Sequence, residues 1–228
     1  MYIKLGTEPG GIVILVVDNA VEGGYMAGEV ARLLPGEDVR MYNYPNGDDD
    51  PSLEDVDGVV IGGSGAGVYD EPDQPWITRQ KKFVEAVIDE EIPLLGICFG
   101  HQLVNEVLGG TVVNSGESRN YLVEASLAEI PLFEGVRNVV PVLHSDIVTE
   151  PGEGMEVVGT ADYNRYFATR HHERPIWTVQ YHPEFTPEIR PEYSDSWDES
   201  EYSFEASTAT RTLENFSQCC QQRTSVSD

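Results

Sequence analysis

Apolar positions fall into short continuous runs, and the stretches between them carry apolar residues at helical spacing. Residues 12–17 form one run, closed by Asp18, and residues 39–42 form a second. A third, residues 56–61, enters the turn Gly62-Gly63-Ser64-Gly65-Ala66-Gly67. Residues 24–34 suit a helix between the first two runs. Residues 76–91 place Ile77, Phe83, Val84, Val87 and Ile88 near a helical period, and Pro93-Leu94-Leu95-Gly96-Ile97 follows as a buried strand. Uninterrupted apolar strands alternating with amphipathic helices predict an α/β fold: a mostly parallel sheet covered by helices on both faces.

Beyond Gly109-Gly110 the pattern changes to short β-rich runs, at residues 111–114, 121–125, 139–143, 155–159, 166–170 and 176–181. These predict a mixed β extension of the same sheet. Residues 187–206 are rich in acids, serine and tyrosine without periodicity, as in an irregular surface insertion or a partly disordered segment. Residues 208–222 form a closing amphipathic helix with Leu213 and Phe216 facing inward. The expectation is one domain over residues 1–228, with a core at 12–186.

Composition narrows the partners. Fourteen basic and forty acidic side chains leave a net charge of −26, which repels phosphate backbones and anionic lipid surfaces. Nucleic acid and membrane surfaces are therefore excluded as expected partners. No stretch approaches the roughly 18 consecutive apolar residues of a membrane span, and residues 1–11 lack the apolar centre of a signal peptide, so a cytoplasmic protein is expected. The three cysteines, Cys98, Cys219 and Cys220, form no disulfide framework.

Candidate chemistry centres on Gly96-Ile97-Cys98-Phe99-Gly100, which has the spacing of a nucleophile elbow with sulfur in place of oxygen. Small residues on each side let the chain turn sharply from strand to helix and lift the central side chain above the sheet. The helix predicted over residues 100–108 then presents its positive end to Cys98, which favours the thiolate. A lone cysteine after an apolar strand is otherwise most often a small buried hydrophobe. The flanking glycines argue for the nucleophile.

A cysteine nucleophile needs a base, and five histidines are available: His101, His144, His171, His172 and His182. His182 ends the predicted strand 176–181, within Gln180-Tyr181-His182-Pro183-Glu184. In an extended chain residues i and i+2 point the same way, so Glu184 is placed to orient the His182 imidazole. In a mostly parallel sheet this strand end and the Cys98 elbow share the carboxyl edge, where α/β proteins build their sites.

Gly96-Ile97-Cys98-Phe99-Gly100-His101-Gln102 followed by Tyr181-His182-Pro183-Glu184 resembles the class I, or triad, glutamine amidotransferases over residues 12–186. The resemblance implies their flavodoxin-like architecture and a glutaminase that attacks L-glutamine through Cys98, with His182 and Glu184 completing the triad. It implies no cofactor and no metal. By position the oxyanion hole would use the backbone amides of Gly63 and Phe99, and Gly65 and Gln102 would hold the substrate. Ser64 departs from the proline common there in relatives, which leaves the rigidity of the turn open. His144-Ser145-Asp146 resembles the His-Gly-Asp element that faces the synthetase partner in GMP synthase glutaminases, with Ser145 in place of glycine. His144 and Asp146 are thus candidates for a partner interface; closing a surface turn is the alternative.

The sequence holds no ATP-pyrophosphatase motif, so the resemblance implies a separate ATP-dependent synthetase subunit that receives the ammonia. Two other readings use the same residues differently: a free-standing γ-glutamyl hydrolase, and a catalytically idle glutaminase-like regulator. Lysine is confined to Lys4, Lys81 and Lys82, and acids are spread through every surface segment, as in salt-adapted proteins. Screening of that self-repulsion should matter for folding. The expected outcome is a higher melting temperature in molar potassium chloride than in dilute buffer; an unchanged melting temperature would refute the idea.

Overall fold

A computed structural model of the protein describes residues 3–5, 11–21, 26–34, 37–189 and 197–224. Its strands are β1 (Ile3–Leu5), β2 (Val13–Asp18), β3 (Asp38–Asn43), β4 (Gly58–Ile61), β5 (Leu94–Ile97), β6 (Thr111–Leu127), β7 (Val139–Glu150), β8 (Met155–Ala161), β9 (Asn164–His171) and β10 (Ile176–Val179). The helices are α1 (Met26–Arg32), α2 (Trp76–Asp89), α3 (Phe99–Val107) and α4 (Arg211–Thr224).

One sheet runs in the order β1-β3-β2-β4-β5-β10-β9-β8-β6-β7. From β3 to β10 neighbouring strands are parallel; β1 pairs antiparallel with β3, and β9, β8, β6 and β7 continue the other edge antiparallel. The α/β alternation and the mixed extension are thus both present. The central strands are uniformly apolar because both their faces are covered. On one face Ile14, Val16, Val60, Leu95 and Ile97 pack with Met26 and Val30 of α1 and Leu213, Phe216 and Cys220 of α4. On the other, Leu15, Val17, Val59, Ile61 and Leu94 pack with Ile77, Phe83, Val84 and Val87 of α2 and Leu103 and Val104 of α3. Leu213 and Phe216 are fully buried. No helix among the described residues is long and apolar enough to cross a membrane.

Element boundaries differ where pairing partners, and not local pattern, set their length. The runs 111–114 and 121–125 are two ends of β6, joined across a register irregularity between Asn114 and Arg119. The run 139–143 continues to Glu150 as β7, so His144 and Asp146 lie inside a strand instead of closing a turn. The strand 176–181 ends at Val179, although the Gln180 N–H still donates to Phe167 O at the next position of the β9–β10 register. In the helix expected over 24–34, residues 24–25 lie outside the described residues; so do residues 190–196 of the acidic segment. The described remainder of that segment is irregular but packed: Trp197 stacks on Phe185 at 4.6 Å and on Phe204 at 5.5 Å.

The register brings the strand ends together. Ile61 of β4 pairs with Gly96 of β5, and Ile97 of β5 pairs with Val179 of β10. Cys98 N–H then donates to Val179 O at 2.9 Å and Gly100 N–H to Gly62 O at 3.2 Å. Close approach dictates the glycines of the elbow: a Cβ at Gly100 would lie 2.2 Å from Ile61 O, and one at Gly96 would lie 2.5 Å from Gly100 O. Both obstacles are backbone that cannot rotate away. Gly100→Ala should therefore destabilise the fold by about 3 kcal/mol, lowering Tm by about 10 °C. Gly65→Ala, where the added methyl meets nothing within 4 Å, should leave Tm unchanged in the same thermal melts.

Candidate active site

Cys98 caps α3 in a conformation that L-residues rarely adopt, φ 53° and ψ −104°. The sulfur sits at the mouth of the β5–α3 turn, with its residue only 5% exposed. Beside it, the chain leaving β10 carries His182 and Glu184, both buried. His182 Nδ1 and Glu184 Oε1 are 2.7 Å apart. The chain leaving β4 brings Gly63 to the same place: a Cβ there would stand 3.2 Å from His182 Cε1 and 3.5 Å from Cys98 Cβ. Cysteine, histidine, carboxylate and glycine turn thus meet at the carboxyl ends of three adjacent strands.

A fourth contribution comes from the far end of the sheet. The β6–β7 ribbon folds back over β9, and beyond the end of β10 the His182 N–H donates to Pro141 O at 2.9 Å. This places the Leu143 carbonyl of β7 3.3 Å from His182 Nε2 and 3.7 Å from Cys98 Sγ. Both ring nitrogens of His182 therefore face acceptors, which is the environment of a doubly protonated imidazole. Burial opposes the charge, but the Glu184 carboxylate and the Cys98 sulfur, through charge and hydrogen bonds, more than reverse it. His182 is held well above the ordinary imidazole value of 6.5.

The other nearby imidazoles shift the opposite way. His144 is buried, with Nδ1 against Asp146 O at 3.0 Å and Nε2 against the Tyr163 hydroxyl at 2.9 Å. Burial, with the positive charges of His182 and Arg119 added, pushes it down to about 3 despite the Asp146 carbonyl. His101, on the buried face of α3, has Nδ1 2.7 Å from Thr178 Oγ1, and burial brings it to about 3 as well. Neither has a carboxylate partner to offset desolvation.

A cavity of about 580 Å³ is bounded by Cys98, His182, His144, Leu143, Met26 and the turn from Gly63 to Gly67. Gly65 faces open space within it, while Phe99, buried beside Trp76 at 5.6 Å, opens α3 next to Cys98. Gln102 borders the cavity, but its Nε2 is engaged by Asp146 O at 3.1 Å and Gln180 Oε1 at 3.3 Å. At the mouth, Asp146 accepts from Tyr69 Oη at 2.9 Å and from Asn114 Nδ2 at 2.7 Å. Of the two interface candidates, Asp146 thus reaches the rim and His144 turns inward. Ser64, in place of the usual proline, braces the turn itself: its hydroxyl donates to Asn19 O at 2.9 Å and accepts from Ala66 N–H at 3.1 Å. Leu143, Asn19, Met26, Tyr69 and Asn114 carried no signal in the sequence, because each reaches the site through a long-range contact.

Residues 30–194 match the family described as glutamine amidotransferase class-I. The chain belongs to that family. Relatives within the class-I amidotransferases include a subunit of the glutamine-hydrolyzing GMP synthase of Archaeoglobus fulgidus, 33% identical over 135 residues that cover 58% of this chain and 68% of that one. The glutamine-hydrolyzing GMP synthase of Nitratiruptor sp. is 34% identical over 134 residues, 56% of this chain but only 25% of that longer protein. Among solved structures, a glutamine amidotransferase from Thermotoga maritima superposes with a TM-score of 0.74 at 19% identity, covering 92% of this chain and 97% of that one. The amidotransferase fold is thereby matched across nearly the whole chain.

The histidine assignments can be checked by ring NMR titration. His101 and His144 should stay neutral from pH 8 to pH 5. Their folded values lie below the unfolded value, so the stability they contribute is present above about 6.5 and is lost as pH falls toward about 3. A midpoint near 6.5 for His144 would show that its ring is not held by Asp146 and Tyr163 as described.

Proposed function

We propose that this chain hydrolyses L-glutamine to glutamate and ammonia through a γ-glutamyl thioester on Cys98, and that a separate ATP-dependent synthetase uses the ammonia. The observation that carries the reading is the buried chain Cys98, His182 and Glu184 beside a glycine turn, in a protein of the class-I amidotransferase family. Cys98 attacks the side-chain carbonyl carbon as the thiolate, its S–H proton being the one held on His182 Nε2: the S–C bond forms, the C=O π pair moves onto oxygen, and the oxyanion faces the amides of Gly63 and Phe99. His182, already protonated on both nitrogens, gives its Nε2 proton to the departing nitrogen as the C–N bond breaks. Water then adds to the thioester carbon, His182 takes its proton, and the C–S bond breaks to release glutamate and restore Cys98. Glu184 keeps the ring oriented and its charge balanced throughout.

GMP synthesis is the first choice of pathway, supported by archaeal relatives in which the matching chain is one subunit of a glutamine-hydrolyzing GMP synthase. The rim fits a docked partner. Tyr69 lines the cavity and is 43% exposed. That ring at the mouth would be covered by the protein that receives the ammonia. Gly65 and Gln102 would position the substrate from the cavity wall.

Cys98→Ala should lower glutamine turnover by on the order of 10⁴-fold or more, whereas Cys219→Ser should stay close to the unaltered chain. Glu184→Gln keeps an acceptor for Nδ1–H but removes the charge that raises the His182 value. It should reduce kcat by about 10²-fold with KM little changed, and move the alkaline limb of the pH–kcat profile to lower pH. Glutamate release at saturating glutamine measures all three. Near-normal turnover by Cys98→Ala would refute the reading.

A further inference from the structure

We propose that Asn19 is the positioning residue of the oxyanion hole: through Gly62 O it fixes the direction in which Gly63 presents its N–H. The inference rests on the glutaminase reading above and names a residue outside the triad and the hole itself.

The carbonyl of Gly62 and the N–H of Gly63 belong to one planar trans peptide, so they point in opposite directions. Whatever holds the carbonyl sets the N–H. Flanked by two glycines, this peptide lacks the Cβ atoms that restrict rotation elsewhere, and it needs an external restraint. Gly62 O accepts Asn19 Nδ2 at 3.0 Å and Gly100 N–H at 3.2 Å. The N–H of Gly63 is consequently turned toward the cavity wall formed by Met26, whose Sδ accepts it at 3.0 Å. A thioether is a weak acceptor, and a developing oxyanion displaces it readily.

Asn19 is itself held at three points. Its Oδ1 accepts Gln80 Nε2 from α2 at 2.6 Å, which directs its Nδ2 toward Gly62. Its backbone oxygen accepts the Ser64 hydroxyl at 2.9 Å, and Ser64 closes on Ala66 N–H at 3.1 Å. Asn19 and Gln80 are completely buried, so water does not compete for these bonds. Gln80 is also the polar exception on the buried face of α2, between Ile77 and Phe83. A helix face that is otherwise apolar thus carries one amide whose partner is the residue steering the site.

Asn19→Asp retains the shape and the acceptor for Gln80 but lacks the donor to Gly62 O; Asn19→Ala removes both. Each variant, and Gln80→Met as a milder one, would be assayed for kcat and KM with glutamine and for alkylation of Cys98 by iodoacetamide. Alkylation is displacement at a saturated carbon, forms no oxyanion and reports whether thiol and fold are intact. The expected result for both Asn19 variants is a fall in kcat of about 10²-fold, with KM and alkylation rate within about threefold of the unaltered chain. Gln80→Met should show the same split with a smaller loss. If kcat stays within about threefold, or alkylation falls in step with kcat, the positioning role is overturned. An unaltered chain that does not turn over glutamine would instead overturn the glutaminase reading and this inference together, whereas normal turnover in Asn19 variants would overturn this inference alone.

Discussion

The strained turn at Cys98 governs the layout of the whole carboxyl edge. A non-glycine residue at φ 53° and ψ −104° carries strain of about 1–3 kcal/mol, and it persists only where the surroundings over-determine it. Here they do: the Cys98 N–H is tied to β10, the Gly100 N–H to the chain after β4, and the backbone crosses so closely that neither Gly96 nor Gly100 has room for a side chain. The same bonds that hold the turn bring β4, β5 and β10 to one level. Gly63, Cys98 and His182 are neighbours because the turn is held.

Electrostatics then separates imidazoles that share one environment. His182, His144 and His101 are all buried, and burial alone drives each toward the neutral form. Only His182 has a carboxylate at hydrogen-bond distance and a sulfur beside it, and only His182 is raised. His144, 2.9 Å from a tyrosine hydroxyl and near Arg119, has nothing negative to compensate and falls to about 3. The order of effects is clear: a buried carboxylate and the Cys98 sulfur together outweigh the desolvation of the ring, whereas a backbone carbonyl does not.

The acidic stretch after Glu184 shows how composition and packing can diverge. Its described carboxylates, on Glu188, Asp198, Glu199, Glu201 and Glu205, are exposed, yet Trp197 and Phe204 stack on Phe185, one residue past Glu184, and Asp198 bridges to Tyr121 of β6. These aromatic contacts clamp the segment over the strand end that carries His182 and Glu184. Polar side chains outside and an aromatic anchor inside reconcile a charge of −26 with a packed site.

Local pattern alone determined the α/β alternation, the Cys98 elbow and the His182–Glu184 pair. Each depends on neighbours in the chain: continuous apolar runs for buried strands, two glycines for a sharp turn, an i to i+2 spacing for two side chains on one side. The length of β6 and β7, the placement of His144 and Asp146 inside a strand, and the Leu143 carbonyl between cysteine and histidine were decided by the antiparallel ribbon folding back over β9. Asn19 and Gln80 are the sharpest case. They are 61 residues apart and are brought to 2.6 Å only when the sheet seats α2 against the end of β2. Side-chain periodicity reports which face of an element is buried. It carries no information about which distant polar group that face will meet, and the orientation of the Gly62–Gly63 peptide depends on such a meeting.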